Sequence, residues 1–129
     1  MYARGNEFRF ETAKKFAETL LVNDVLQTLD LSNNLINEAG GILLAKSLKS
    51  NQSLQKLNLK TNNMRFEAGA CFVDSMKTNN VIKYLNLLNN PIGMEFLEQV
   101  NRMLLRNSFH VEENSLRDLY DNRDHYLNL

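Results

Sequence analysis

The chain has 129 residues, which is enough for one domain with a hydrophobic core. Lys plus Arg equals Asp plus Glu, at 15 each, so no net charge draws the chain toward nucleic acid or an anionic membrane. Cys71 is the only cysteine, which excludes an intramolecular disulfide and a thiolate zinc site. No apolar run has the length of a signal peptide or a membrane span, so we expect a cytoplasmic protein, with cytoskeletal or ciliary association left open.

An internal repeat of 28 residues organises the chain from its first residues onward. A leucine frame, L-x-x-L-x-L-x-x-N, begins at Leu26, Leu54 and Ile82. The alternation around its two inner leucines predicts a strand with one buried face. Asparagines recur with the same period in two columns, which are Asn6, Asn34, Asn62 and Asn90, and Asn23, Asn51, Asn79 and Asn107.

The first unit is expected to be partial and to cover residues 1–25. Asn6 lies one period before Asn34, and Ala3 lies one period before Leu31, so residues 1–4 take a strand position. The opening leucines of that unit are missing. A terminal unit without a cap would expose unpaired backbone, so we expect either a fragment of a larger repeat protein or stacking on another repeat or subunit at this edge.

Full units are predicted over 26–53, 54–81 and 82–109, and each carries a helix after its strand. Apolar residues recur at spacings of three and four, which places them on one helical stripe. The second asparagine column follows each helix, and we expect it to close the helix in a left-handed turn. The helical columns are Ala13, Gly41, Gly69 and Leu97; Phe16, Leu44, Phe72 and Val100; and Leu20, Leu48, Met76 and Leu104.

This frame resembles the leucine-rich repeat family, in particular its ribonuclease-inhibitor-like subclass with helix-bearing repeats of about 28 residues. The resemblance covers residues 1–109. It implies an α/β fold, a right-handed leucine-rich repeat solenoid with a parallel β-sheet on the concave face and α-helices on the convex face. A right-handed crossover is also what strand–helix–strand geometry favours.

Residues 110–129 depart from the repeat and are predicted to form a C-terminal cap and tail. His110 stands where the frame requires a leucine. The segment is mildly acidic, with five acidic residues against two basic ones. A short capping helix is predicted from the spacing of Leu116, Leu119, Tyr120 and Leu127.

No constellation of residues points to catalysis, so we predict that the chain is not an enzyme and has no catalytic, cofactor-binding or metal site. His110 and His125 are isolated from carboxylates and thiols at ligand spacing. Cys71 lies on a predicted helix with no base placed beside it, which indicates a packed thiol rather than a nucleophile. No glycine-rich phosphate loop occurs.

The candidate binding residues are the strand positions that flank the inner leucines, because side chains alternate along a strand and these point away from the core. Unlike the leucines and asparagines, they change character from copy to copy. Aromatic and cationic side chains among them favour a protein interface, although free drift of surface positions is the competing explanation. They are Thr28, Asp30, Ser32, Lys56, Asn58, Lys60, Tyr84, Asn86 and Leu88.

The predicted function is a non-catalytic intracellular interaction module or scaffold that binds a protein partner through its concave face, with no role for nucleic acid or membrane. The resemblance admits ribonuclease inhibitors, NOD-like receptor sensor domains, tropomodulins on actin filament ends, and ciliary assembly proteins. A short array with a non-repeat C-terminal segment fits a cytoskeletal or scaffold role better than an inhibitor horseshoe. The alternatives are a regulator of an enzyme or small GTPase, as in the Ran GTPase-activating protein, and a sensor-type domain.

Overall fold

The computed structural model describes residues 1–5 and 9–109, which alternate between helices and short strands. The predicted position of Asn6 and the predicted cap over 110–129 lie outside these residues. Strand and helix positions within 26–109 agree with the repeat. The elements are α1 (Phe10–Val22), β1 (Thr28–Asp30), α2 (Asn37–Leu48), β2 (Lys56–Asn58), α3 (Phe66–Met76), β3 (Tyr84–Asn86) and α4 (Met94–Phe109).

The three strands form one parallel sheet in the order β1-β2-β3. Each residue pairs with the one a full period away, so Thr28 lies opposite Lys56 and Lys56 lies opposite Tyr84. An isolated parallel bridge joins Tyr2 to Asp30 on the other side of β1. The register therefore keeps equivalent side chains side by side across the sheet.

The hydrophobic core lies between the sheet and the helices. The inner leucines Leu29, Leu57 and Leu85 project into it from the strands, and Leu44 and Phe72 meet them from α2 and α3. All five are buried. One face of the sheet is thereby covered by helices, and the other face, here called the open face, carries the alternate strand residues.

The first asparagine column forms a ladder through the turns that follow the strands. Asn62 Nδ2 donates to Leu31 O of the preceding unit at 2.9 Å and to Leu59 O of its own unit at 3.1 Å. Its Oδ1 accepts from the backbone N–H of Asn34 at 3.2 Å. Asn90 makes the equivalent bond one unit later, where its Nδ2 donates to Leu59 O at 3.0 Å. Each side-chain amide therefore satisfies buried backbone groups of two units, which is why a residue that both donates and accepts is needed.

The second column does not close the helices in a left-handed turn, so that prediction is wrong. Asn23 has φ −82° and ψ 127°, which is extended backbone. Asn79 Oδ1 instead accepts from the N–H groups of Val81 and Ile82, each at 2.9 Å, while its Nδ2 donates to Leu48 O at 2.7 Å. The asparagine side chain already hydrogen-bonds the backbone at the end of a helix and before the next strand, so no left-handed residue is required there.

A left-handed column does exist, one residue before the first asparagine ladder. Gly5, Asn33, Thr61 and Asn89 have φ values of 71°, 56°, 61° and 56°. In this conformation the N–H of Asn33 reaches Lys60 O at 2.9 Å and that of Thr61 reaches Leu88 O at 3.0 Å. Thr61 is the β-branched member of the column, and β-branched residues tolerate positive φ poorly.

Small residues let neighbouring helices approach closely. A Cβ built on Gly41 would lie 2.6 Å from Met64 Sδ, and one built on Gly69 would overlap Ile92 Cγ2. Leu97 stands at the same column in α4 and is half-buried, because no further helix among the described residues packs against it.

The expected leucine-rich repeat solenoid is wrong for this chain. The described residues form a small α/β domain with four helices and a single sheet of three strands, each three residues long. The 28-residue period correctly indicates how one unit pairs with the next. The superhelical shape of a solenoid, however, comes from small rotations accumulated over many units, and three strands accumulate little.

Replacing Asn79 by Ala should cost about 3 kcal/mol of unfolding free energy, because buried backbone partners at Leu48, Val81 and Ile82 lose their hydrogen bonds. Urea denaturation followed by circular dichroism measures the loss. The neighbouring Asn80 is exposed, so Asn80→Ala serves as the matched control and should change stability by less than about 0.5 kcal/mol. Equal effects of the two substitutions would contradict the structural role of the second asparagine column.

Replacing Thr61 by Asn should raise the unfolding free energy by about 1 kcal/mol, since Asn accepts the left-handed conformation that strains Thr. The reciprocal change Asn89→Thr, at the equivalent position of the next unit, should lower it by a similar amount. Both residues are exposed, so packing is little altered. A Thr61→Asn variant no more stable than the parent in urea would show that the turn bears no strain.

Candidate protein-binding surface

The nine predicted binding residues lie on or beside the open face, but the structure divides them into three groups. The strand starts Thr28, Lys56 and Tyr84 form one row across the sheet. A second row follows at the strand ends, and a third lies just beyond them. Only part of this set is accessible, because the second row is tied to the backbone and the third is partly buried.

The second row stabilises the turn that follows each strand. Asp30 Oδ1 accepts from the N–H of Ser32 at 2.9 Å, Asn58 Oδ1 from that of Lys60 at 3.0 Å, and Asn86 Oδ1 from that of Leu88 at 3.0 Å. Short polar side chains that bond the backbone two residues on are typical of such turns. Asp30, Asn58 and Asn86 are half-buried and have a structural role that the sequence analysis did not assign to them.

Ser32 is removed from the surface altogether. It is 2 % exposed, and its hydroxyl donates to Asp30 Oδ1 at 2.7 Å. Thr28 is half-buried at the β1 side of the sheet, where its carbonyl accepts from the terminal amine of Met1 at 2.7 Å. The β1 side of the open face therefore offers few side chains to a partner.

The accessible side chains are on β2 and β3. Lys56 and Tyr84 are exposed and adjacent, since their backbones pair directly. Tyr84 is 46 % exposed and Leu88 57 %. Lys60 is half-buried beside Leu88 in the third row. An aromatic ring, an aliphatic side chain and two ammonium groups thus share one surface, and of these the aromatic ring is of a kind enriched at protein interfaces.

The two lysines are not engaged in ion pairs within the residues that the structure describes. The ion pair found there joins Lys49 Nζ to Asp74 Oδ2 at 3.4 Å, among the helices and away from the open face. Lys56 and Lys60 have no ion-pair partner in 1–5 or 9–109. A partner that presents carboxylates would therefore gain attraction here without first breaking an internal pair.

A second surface, which the repeat pattern does not predict, is a groove at the free side of β3 and α4. We call it the end groove. Its volume is about 590 Å³. Apolar side chains dominate its lining, which includes Tyr84, Leu88, Met94, Leu97, Val100 and Leu104.

A sequence signal for the end groove did exist. Leu88 is apolar in a column that is polar in earlier units, and Leu97 is large in a column that is otherwise small. Both changes fall in the last unit. Together they mark a unit whose outer side meets different surroundings from those of its predecessors.

The described residues contain no group of three or more His, Cys, Asp or Glu side chains that could hold a metal ion. Cys71 is half-buried in α3. His110 and His125 lie outside the described part of the chain. No helix in 1–5 and 9–109 combines the length and apolar character needed to cross a bilayer.

Solved structures share this fold, and two of them are described here. The structure titled leiomodin-1 actin-binding site 2 superposes with a TM-score of 0.71 at 18 % identity, covering 97 % of this chain and 87 % of that one. The tropomodulin C-terminal domain of Caenorhabditis elegans gives 0.57 at 14 % identity, covering 92 % and 87 %. No family model matches the sequence, and no curated protein matches it either.

These matches correct the family resemblance drawn from the sequence. The chain shares its fold with a leiomodin and a tropomodulin domain, and not with the ribonuclease-inhibitor-like class of leucine-rich repeat proteins. The leucine columns fill the core between strands and helices, and the asparagine columns hydrogen-bond buried backbone groups. Both are local requirements of packing and hydrogen bonding. They do not by themselves distinguish one family of domains from another.

Proposed function

We propose that this chain is a non-catalytic actin-binding module whose contact surface is the open face of β2 and β3. The observation that carries the proposal is the fold match over 97 % of the chain to a structure titled as an actin-binding site. An actin partner would also agree with the cytoskeletal role favoured on the sequence. At 18 % identity the likeness concerns the fold, so the binding residues must come from this chain's own surface.

The open face supplies three properties that suit a protein partner. Tyr84 offers a large amphipathic ring at low entropic cost, because it has few rotatable bonds. Leu88 adds apolar area next to it. Lys56 and Lys60 give positive potential that steers a partner bearing carboxylates. The asparagine ladder fixes both the strands that hold Lys56 and Tyr84 and the turns that hold Lys60 and Leu88, so little backbone has to be ordered on binding.

The alternative roles as a regulator of a small GTPase and as a sensor domain gain no support from the two matching structures named above. A GTPase regulator would require a charged patch at an edge of the sheet. Lys56 and Lys60 lie on the open face itself rather than at an edge of the sheet. The actin proposal is therefore the one that the fold and this surface jointly favour.

Reversing both charges in the double variant Lys56→Glu, Lys60→Glu should weaken actin binding about tenfold, because two attractions become repulsions. Cosedimentation with filaments and fluorescence anisotropy with labelled monomeric actin measure the affinity for the two forms of actin. The matched control is Lys46→Glu, Lys77→Glu, which makes the same charge change at exposed positions on the helical side. The control should bind like the parent, and the loss should shrink as salt is raised.

Substituting Tyr84 by Ala tests the apolar part of the surface without changing charge, and we expect a similar reduction in affinity. Urea denaturation of each variant verifies that the domain is still folded. Absence of binding by the parent chain to both monomeric and filamentous actin would refute the proposal. Equal weakening by the Lys46, Lys77 control would instead show non-specific electrostatic association.

A further inference from the structure

Residues 1–5 extend the sheet beyond β1 and therefore extend its open face. The N–H of Ala3 donates to Asp30 O at 2.8 Å. One period later the N–H of Leu31 donates to Asn58 O at 2.9 Å, which is the equivalent bond between β1 and β2. Residues 1–5 thus follow the register of the later strands, in which each residue lies beside the one 28 positions on. The open face is formed by four neighbouring chain segments rather than three.

Two side chains of this first segment, Tyr2 and Arg4, lie on the open face. Ala3 between them is buried in the core, and side chains alternate along an extended chain, so its two neighbours point the other way. Tyr2 is 80 % exposed, and Arg4 is exposed as well. The leucine frame begins only at Leu26, so the repeat pattern does not single out either residue.

Tyr2 occupies a position that has a different role in the later units. Its equivalents Asp30, Asn58 and Asn86 are short polar side chains that accept from the N–H two residues on. A tyrosine has no acceptor so close to the backbone, and the side chain of Tyr2 extends into solvent instead. A large ring displayed where the fold uses a short polar side chain indicates a binding role, because tyrosine is enriched among the residues that anchor interfaces.

The open face forms a shallow trough that crosses the strands. Its floor is the row of Asp30, Asn58 and Asn86, which are half-buried because they bond the turns. Lys56 and Lys60 lie on either side of that floor, four residues apart along the chain. Four residues of extended chain span about 13 Å, and an α-helix with its side chains is about 10–12 Å across. The trough is therefore wide enough for one helix.

A tyrosine ring lies at each end of this trough. At β3 the Tyr84 hydroxyl accepts from Asn86 Nδ2 at 3.2 Å, so its ring leans toward the floor. At the other end Tyr2 lies in line with the floor, because it pairs with Asp30. Neighbouring strands are about 4.8 Å apart, so about 14 Å separates the two outermost segments. The lysines of β2 and its turn lie between the two rings.

We propose that this trough binds an acidic amphipathic α-helix of the partner. The inference rests on the proposed function for the place of the contact, and it holds whether or not the partner is actin. A helix rises about 1.5 Å per residue, so about ten residues cover the distance between the rings. Apolar residues at both ends of one helical face meet the two tyrosines, and carboxylates between them meet Lys56 and Lys60.

The charge of the open face agrees with an acidic occupant. Its basic side chains are Arg4, Lys56 and Lys60, and its acidic side chain is Asp30. The Asp30 carboxylate already accepts from the N–H and the hydroxyl of Ser32. An approaching carboxylate therefore meets an excess of positive charge.

A helix suits this surface better than an extended peptide. The backbone of β2 is hydrogen-bonded to strands on both sides. An extended peptide lying across the open face would find no backbone partners there, whereas a helix satisfies its own N–H and C=O groups. Single-stranded nucleic acid also stacks on aromatic rings, but its phosphates would approach the Asp30 carboxylate on the floor, and the chain has no net positive charge.

Fluorescence anisotropy with a labelled, stapled helical peptide tests the inference on the full chain. The peptide carries leucines at both ends of one face and two glutamates between them, and its control has the same composition with the glutamates on the opposite face. We expect the first peptide to bind about tenfold more tightly than the control, with a preference that shrinks as salt is raised. Failure of the first peptide to bind, equal binding of the two peptides, or tighter binding of an oligothymidylate of matched length would overturn the inference.

The variant Tyr2→Ala removes the ring that residues 1–5 add to the surface. We expect it to weaken peptide binding about fivefold, whereas Tyr2→Phe keeps the ring and should bind like the parent. The matched control Phe66→Ala removes an exposed ring at the start of α3, outside the open face, and should have no effect. Urea denaturation verifies that each variant is folded. A Tyr2→Ala variant that binds the peptide as tightly as the parent would overturn the inference.

The same variant separates this inference from the actin proposal. A parent chain that binds the peptide but neither form of actin would refute actin as the partner and leave the acidic-helix surface standing. A parent chain that binds actin, with Tyr2→Ala bound equally tightly, would leave the actin-binding function standing and overturn the surface that reaches Tyr2.

Discussion

The asparagine ladder at the strand ends is the constraint on which the rest of this fold depends. Every unit turns sharply after a strand of three residues, which leaves carbonyl and N–H groups buried with no strand neighbour. Asn62 meets that need for two units at once, through its amide group to Leu31 O and Leu59 O and through its oxygen to the N–H of Asn34. Leaving such groups unpaired would cost about 1–3 kcal/mol each, a large fraction of the stability of a small domain.

The ladder also determines which positions can serve function. Because the turns and inner leucines are committed to structure, the sheet leaves only its open-face positions free to vary in character. Even there the row of Asp30, Asn58 and Asn86 is engaged with the backbone. The surface that remains for a partner is small and lies on β2 and β3. It combines Lys56, Lys60, Tyr84 and Leu88, and it depends on the rigid strands beneath it rather than on mobile loops.

At the last described unit the asparagine chemistry is supplemented by arginine. Arg106 donates through Nη2 to Met76 O at 2.7 Å and to Asn79 O at 2.9 Å, and it also bonds Asn107 Oδ1. Asn107 in turn donates to Ile82 O at 2.8 Å. The carbonyl groups of Met76, Asn79 and Ile82 are thus satisfied in this unit, while Leu97 and Leu104 of α4 remain half-buried at the groove. The end groove therefore differs from the earlier units, because these carbonyl groups are hydrogen-bonded while apolar side chains remain partly exposed.

The sequence by itself determined the period, the positions of the strands and helices within 26–109, and the buried leucine and asparagine columns, because repeated spacing and alternation are local properties of a chain. It did not determine the family or the shape, since many domains satisfy the same local rules and the resemblance to ribonuclease-inhibitor-like solenoids was misleading. It also could not separate Lys56 and Tyr84 from Ser32 and Asp30. The exposure of these side chains, and the bonding of the asparagines across units, depend on neighbours that lie 28 residues or more apart and meet only in the tertiary structure. The end groove exists only where those neighbours stop.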